Sequence, residues 1–184
     1  MNLPNKLTIL RIIFIPVFIL FCYLNIANNY IYACAVFILA SITDILDGEI
    51  ARRKNLITSM GKLLDPIADK LLVGSAIIIL AVQGSINPVL AIILIGREFI
   101  ISGFRAVAAA EGKILAADIY GKIKTVIQSV AVAALLIAID NTGLFFDIAY
   151  YSGTALIWLS GILSVGSCVN YIVKNKEILS EMNK

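Results

Sequence analysis

Residues 36–82 read VFILASITDILDGEIARRKNLITSMGKLLDPIADKLLVGSAIIILAV. Two apolar runs flank a charged turn, and four aspartates, Asp44, Asp47, Asp65 and Asp69, stand where the runs meet that turn. Neither run alternates with period two, which argues against strands of a closed barrel. The run Leu63–Val82 has the length of about 20 residues that a helix needs to cross about 30 Å of hydrocarbon. The first run is shorter, but Thr43 to Ile50 can extend the same helix past the bilayer.

Outward from this hairpin the pattern repeats. Apolar segments at Leu7–Leu24, Tyr30–Ile42, Leu63–Val82, Pro88–Ala110, Tyr120–Ile139 and Ile148–Val173 are separated by turn-forming stretches at Asn25–Asn29, Gln83–Pro88 and Asp140–Gly143. Of the 184 residues 60% are apolar and 15% charged, and the mean hydropathy is +0.96. A soluble domain carries about 25% charged residues, so this chain has too few to cover a surface facing water. The expected architecture is an all-α integral membrane protein with six transmembrane helices, a single domain over residues 1–184.

Charge orients it. Lys6 and Arg11 flank the first segment. Arg52, Arg53, Lys54 and Lys62 follow the second, Arg105, Lys113, Lys122 and Lys124 bracket the connection from fourth to fifth, and Lys174, Lys176 and Lys184 follow the sixth. The three opposite connections contain no Lys or Arg, so both termini are expected in the cytoplasm. The net charge of +3 then belongs to a basic face near anionic lipid, and nucleic acid is not an expected partner. Arg11 inside the first segment, with no small-x-small site before Asn28, favours a retained span over a cleaved signal. Cys22, Cys34 and Cys168 lack ligand-like spacing and read as apolar packing residues.

The aspartates carry the chemistry. Asp44 and Asp47 are three apart and Asp65 and Asp69 four apart, so each pair shares a helix face. Four like charges at a membrane boundary need positive charge among them. Arg52, Arg53, Lys62 and Lys70 could supply it as a structural ion-pair cluster; divalent metal is the other source. With no histidine in the chain, four hard carboxylates suit Mg²⁺ or Mn²⁺. Two such ions could clamp a phosphoryl group. Gly48, Ala51 and Gly61 leave room beside the carboxylates for a bulky ligand, which, with Arg52 nearby, suggests a phosphate ester held by metal.

Residues 44–69 match in full D-x2-D-G-x2-A-R-x8-G-x3-D-x3-D, the signature of the CDP-alcohol phosphotransferases, with eight fixed positions over 26 residues. The chain resembles that family throughout its length. The resemblance implies a six-helix membrane fold with a cytoplasmic active site and a homodimer. It implies two divalent cations, Mg or Mn, on Asp44, Asp47, Asp65 and Asp69, with Asp69 also the catalytic base. Asp44, Asp47, Gly48, Ala51, Arg52, Gly61 and Asp65 would line the CDP pocket.

The stretches NLPNKLTILR (2–11), GREFIISGFR (96–105) and GKIKT (121–125) look most like bacterial members that use CDP-diacylglycerol and glycerol 3-phosphate in the inner membrane. Arg97 lies mid-segment, where an ion needs a cavity or a partner. Adjacent Glu98 is not expected to pair with it, because sequence neighbours diverge on a helix. Arg97 and Arg105, two turns apart, join Lys122 and Lys124 as an expected acceptor-phosphate site. Asn5, Thr8 and Arg11 recur every three residues, either lining substrate or marking an interfacial helix whose Arg11 snorkels to the headgroups. Rival readings are an inositol phosphate acceptor and a cation or proton transporter, which would place its acidic groups near the midplane. Ser160 and Ser164 have a spacing that could pack one helix on another.

Overall fold

A computed structural model describes the backbone of residues 3–54, 59–110, 119–140 and 142–175, and the side chains of 8–43, 64, 67–109, 121–140 and 142–175. The described residues form six helices and no strand: α1 (Leu3–Tyr23), α2 (Asn29–Lys54), α3 (Ser59–Val82), α4 (Pro88–Ala110), α5 (Ile119–Ile139) and α6 (Leu144–Lys174). Among them, Gly121–Ile139 and Leu144–Lys174 are long and apolar enough to cross a membrane. Isoleucine, leucine, valine and aromatic side chains cover outward faces of all six helices, a surface suited to lipid.

Helix ends follow local chemistry. Gly84 closes α3 with φ of +76°, a left-handed conformation that glycine adopts without strain, while Ser85 N–H donates to Leu80 C=O at 2.9 Å. Three residues later Asn87 caps α4: its Oδ1 accepts from Val89 N–H at 2.9 Å, and Pro88 takes the first helical position, where no N–H is needed. At the start of α2, Tyr30 N–H donates to Asp140 Oδ2 at 2.8 Å. That carboxylate comes from the end of α5 and meets the positive pole of the α2 dipole.

The core runs between the helices. Phe18 and Phe37 join α1 to α2 with ring centroids 6.2 Å apart. Leu72, Ile77 and Leu80 of α3, Leu94 of α4 and Leu135 and Leu136 of α5 are fully enclosed. Helix α6 packs along α5 and α4 through Gly153, Ile157, Ser160, Gly161 and Ser164. A Cβ on Gly153 would stand 2.9 Å from Leu135 Cγ and 3.2 Å from Ala131 C=O, so α5 and α6 touch almost backbone to backbone. Ser160 and Ser164 are buried by the chain's own α4 and α5, which spends their small-residue spacing inside one protomer. Cys22 and Cys34 are buried among apolar neighbours, and the three cysteines are free thiols.

Candidate functional site

The signature lies on two consecutive helices. Asp44, Asp47, Gly48, Ala51 and Arg52 belong to the C-terminal part of α2, and Gly61, Asp65 and Asp69 to the N-terminal half of α3. Of these side chains only that of Asp69 falls within the described residues; the contacts expected for the other seven lie outside them. Asp69 is half-buried and borders a cavity of about 30 Å³ between α3, α4 and α5. That volume admits a water molecule or two. Its polar lining is Asp69 and Lys70 from α3, Glu98 from α4, and Lys124, Thr125 and Gln128 from α5.

The four expected acceptor-phosphate residues divide into two environments. Arg105 and Lys122 are exposed. Lys124 and Arg97 are enclosed, with 1% and 11% of their side-chain surface accessible, and both converge on Glu98. The Lys124 ammonium donates to Glu98 Oε1. Arg97 Nη1 donates to the same oxygen at 3.2 Å, and its Nη2 donates to Ser167 Oγ of α6 at 2.9 Å. The Arg97 guanidinium is laid against the start of α5, with Nη2 3.3 Å from where a Cβ on Gly121 would sit.

The pairing of Arg97 with Glu98 corrects the sequence-based expectation that they would point apart. Their Cβ atoms do diverge, but both side chains are long, and Glu98 is drawn toward Lys124 on α5. At the N-terminus, Thr8 and Arg11 are 1% and 0% exposed. Helix α1 packs on α2 and α3, so Arg11 is enclosed by the bundle and does not snorkel outward. The side chain of Asn5 lies outside the described residues. Sequence reasoning missed Glu98, Ser167 and Gln128. An acidic residue mid-helix in a membrane chain is itself a signal that a cation faces it; nothing in the local sequence marks the other two.

As chemistry, the signature puts carboxylate residues in the sequence of α2 and α3, while α4 and α5 carry Arg97, Arg105, Lys122 and Lys124. With no histidine in the chain and all three cysteines outside the signature, an all-carboxylate donor set fits a hard divalent cation.

The family model for CDP-alcohol phosphatidyltransferases matches residues 1–166. A protein of Bacillus subtilis (strain 168) is 40% identical over 196 aligned positions, which cover 99% of each chain. A Rickettsia felis protein is 39% identical over 92% of this chain and 93% of its own, and one from Escherichia coli (strain K12) 37% identical over 93% of each. All three are named CDP-diacylglycerol–glycerol-3-phosphate 3-phosphatidyltransferase. On this breadth of match, with its signature intact from Asp44 to Asp69, the chain belongs to the CDP-alcohol phosphatidyltransferase family.

Proposed function

We propose that this protein transfers the phosphatidyl group of CDP-diacylglycerol to the 1-hydroxyl of sn-glycerol 3-phosphate, giving phosphatidylglycerophosphate and CMP. The observation that carries the reading is the near full-length match to relatives named for this reaction, over a chain that keeps all eight signature positions. The chain acts as one domain of six spans in a bacterial inner membrane, with both termini and the active site toward the cytoplasm. Every Lys- or Arg-bearing connection lies on that side, which supports the orientation. It works as a homodimer whose contact avoids the Ser160–Ser164 stripe, since that stripe is already buried within the protomer.

CDP-diacylglycerol enters sideways from the inner leaflet, its diphosphate toward the aspartates and its cytidine beside Gly48, Ala51, Arg52 and Gly61. Asp44, Asp47, Asp65 and Asp69 would hold two divalent cations, Mg²⁺ or Mn²⁺, which would supply positive charge for the diphosphate and the departing oxygen. Glycerol 3-phosphate arrives from the cytoplasm. Exposed Arg105 and Lys122 meet its phosphate first, and Arg97 and Lys124 form the inner wall of the same basic surface. Asn5, Thr8 and Arg11 close the site from α1. Asp69 accepts the proton of the 1-hydroxyl as that oxygen bonds to the phosphorus bearing diacylglycerol, and the bond from this phosphorus to CMP breaks. The acceptor supplies its own nucleophile, so a single displacement suffices and no covalent enzyme intermediate forms. The rate enhancement comes from positioning and electrostatics.

The test is CMP release by detergent-purified protein supplied with CDP-diacylglycerol and Mg²⁺. Glycerol 3-phosphate, inositol phosphate, serine or no acceptor is added, each with and without EDTA. Release only with glycerol 3-phosphate and metal is the expected outcome. Release driven by another alcohol would overturn the acceptor assignment, and no release with any acceptor would overturn the reaction.

A further inference from the structure

We propose that Ser167 of α6 is a positioning residue for the acceptor: its hydroxyl fixes the Arg97 guanidinium without neutralising it, so the charge stays available to a phosphate. The inference rests on the proposed place of Arg97 in the acceptor-phosphate site, and it begins from how that guanidinium is held. Arg97 stands midway along α4 with 11% of its side-chain surface accessible, and an ion so enclosed needs partners. Its Nη1 donates to Glu98 Oε1 at 3.2 Å, a tie within α4. Its Nη2 donates to Ser167 Oγ at 2.9 Å, a tie across to α6.

Ser167 is buried, and its own hydroxyl donates to Ser164 C=O at 3.2 Å. A hydroxyl has one proton and two lone pairs, so with its proton committed to α6 the Ser167 oxygen meets Arg97 only as an acceptor. On another side Nη2 lies 3.3 Å from where a Cβ on Gly121 would sit, so α5 backs the guanidinium closely. Three helices therefore set its position. The kind of partner matters as much as the distance. Among the described residues Glu98 is the carboxylate bonded to Arg97, and it also accepts from Lys124. One negative charge shared by two cations cannot cancel both, and Ser167 adds a hydrogen bond with no charge. Arg97 Nε is buried with no hydrogen-bond partner, so the guanidinium is held yet not saturated. A serine here orients the arginine and leaves it attractive to an anion; a carboxylate would orient it and remove that attraction.

The test compares S167A, S167T and S167D in the purified full-length protein, read as kcat, as KM for glycerol 3-phosphate and as Tm. S167A is expected to raise acceptor KM about tenfold while kcat at saturating acceptor moves less than about threefold. S167T, which keeps the hydroxyl, should hold KM within about threefold of wild type. S167D gives Arg97 a charged partner and should raise KM at least as much as S167A does. A serine that only stabilised the helix packing would act differently: S167A would lower Tm and leave KM unchanged. Unchanged acceptor KM in S167A, or a wild-type KM in folded S167D, would overturn the proposal.

If S167D does not fold, S167A and S167T carry the test, and an equal rise of KM in both overturns it. A second readout is independent of the reaction. Inorganic phosphate, added in EDTA against chloride at matched ionic strength, should raise the Tm of wild-type protein by binding the folded state. S167A should need about tenfold more phosphate for the same shift, and S167T less than about threefold more. A wild type that releases no CMP contradicts the proposed reaction and leaves this phosphate comparison to judge Ser167. Equal shifts in wild-type and S167A protein, or no shift in wild type, overturn the inference.

Discussion

At the end of the bundle away from the signature, Gly84, Asn87 and Asp140 close helix termini with short hydrogen bonds, and the helices behind them are filled with Phe18, Phe37, Leu80 and Leu136. At the signature end, Arg11, Arg97, Glu98 and Lys124 are enclosed by apolar helices, and Asp69 borders a cavity. The first region solves only the problem of starting and stopping helices. The second keeps ions where burial is costly, so their presence needs a reason beyond folding. Handling an anionic substrate is such a reason, and the division predicts which substitutions affect turnover and which affect stability alone.

The largest effect is expected at Asp69. D69N should lower kcat by about a thousandfold while some CDP-diacylglycerol binding remains, because the amide cannot take the hydroxyl proton. D44N should weaken nucleotide and metal binding together. Steady-state kinetics with equilibrium binding of the nucleotide lipid separate the two, and equal mild effects would erase the proposed division of roles.

Next comes Arg97, whose truncation empties a buried site and strips Ser167 and Glu98 of a donor. R97A should destabilise the protein by about 1–3 kcal/mol and reduce turnover as well, read by thermal melting and kinetics on the same sample. Exposed Arg105 sharpens the contrast. R105A should raise KM for glycerol 3-phosphate about tenfold, with kcat and Tm little changed. If R105A destabilised the fold as R97A does, the distinction between inner and outer cations would break.

The smallest effect belongs to the far end. D140A removes the cap on α2 and should cost about 1 kcal/mol of stability without altering kcat. A change in kcat would show that the two ends are coupled.

Much of this division is legible in the sequence, for physical reasons that differ by residue. The start of α4 at Pro88 follows from Asn87 and Pro88, which mark a helix start wherever they fall. Two other starts read less well. Helix α1 begins at Leu3, four residues before the apolar run, because Pro4 is tolerated in a first turn. Helix α6 begins at Leu144, four residues before the expected span, because Asp147 is favourable in a first turn near the N-terminal dipole. Hydropathy treats both as interruptions; helix-end chemistry does not.

The site divides similarly. The aspartates stand out because their spacing is local, three and four residues within single helices. The Glu98–Lys124 pair does not, since its members are 26 residues apart and meet only when α4 lies beside α5. Arg97 was legible as an ion needing a partner, but its partners were not: Glu98 lies across a bend of two long side chains, and Ser167 comes from α6. One helix alone leaves Arg11 equally open to lining substrate and to snorkelling; only the packing of α1 on α2 and α3 encloses it.

The central claim, direct transfer to the acceptor hydroxyl, is tested most directly with glycerol 3-phosphate carrying ¹⁸O in its 1-hydroxyl. Purified protein, CDP-diacylglycerol and Mg²⁺ should yield a lipid product with the label in the new phosphorus–oxygen–carbon bridge, CMP without label, and no product in EDTA. Phosphatidic acid and CMP formed in place of a labelled lipid, or label appearing in CMP, would contradict it.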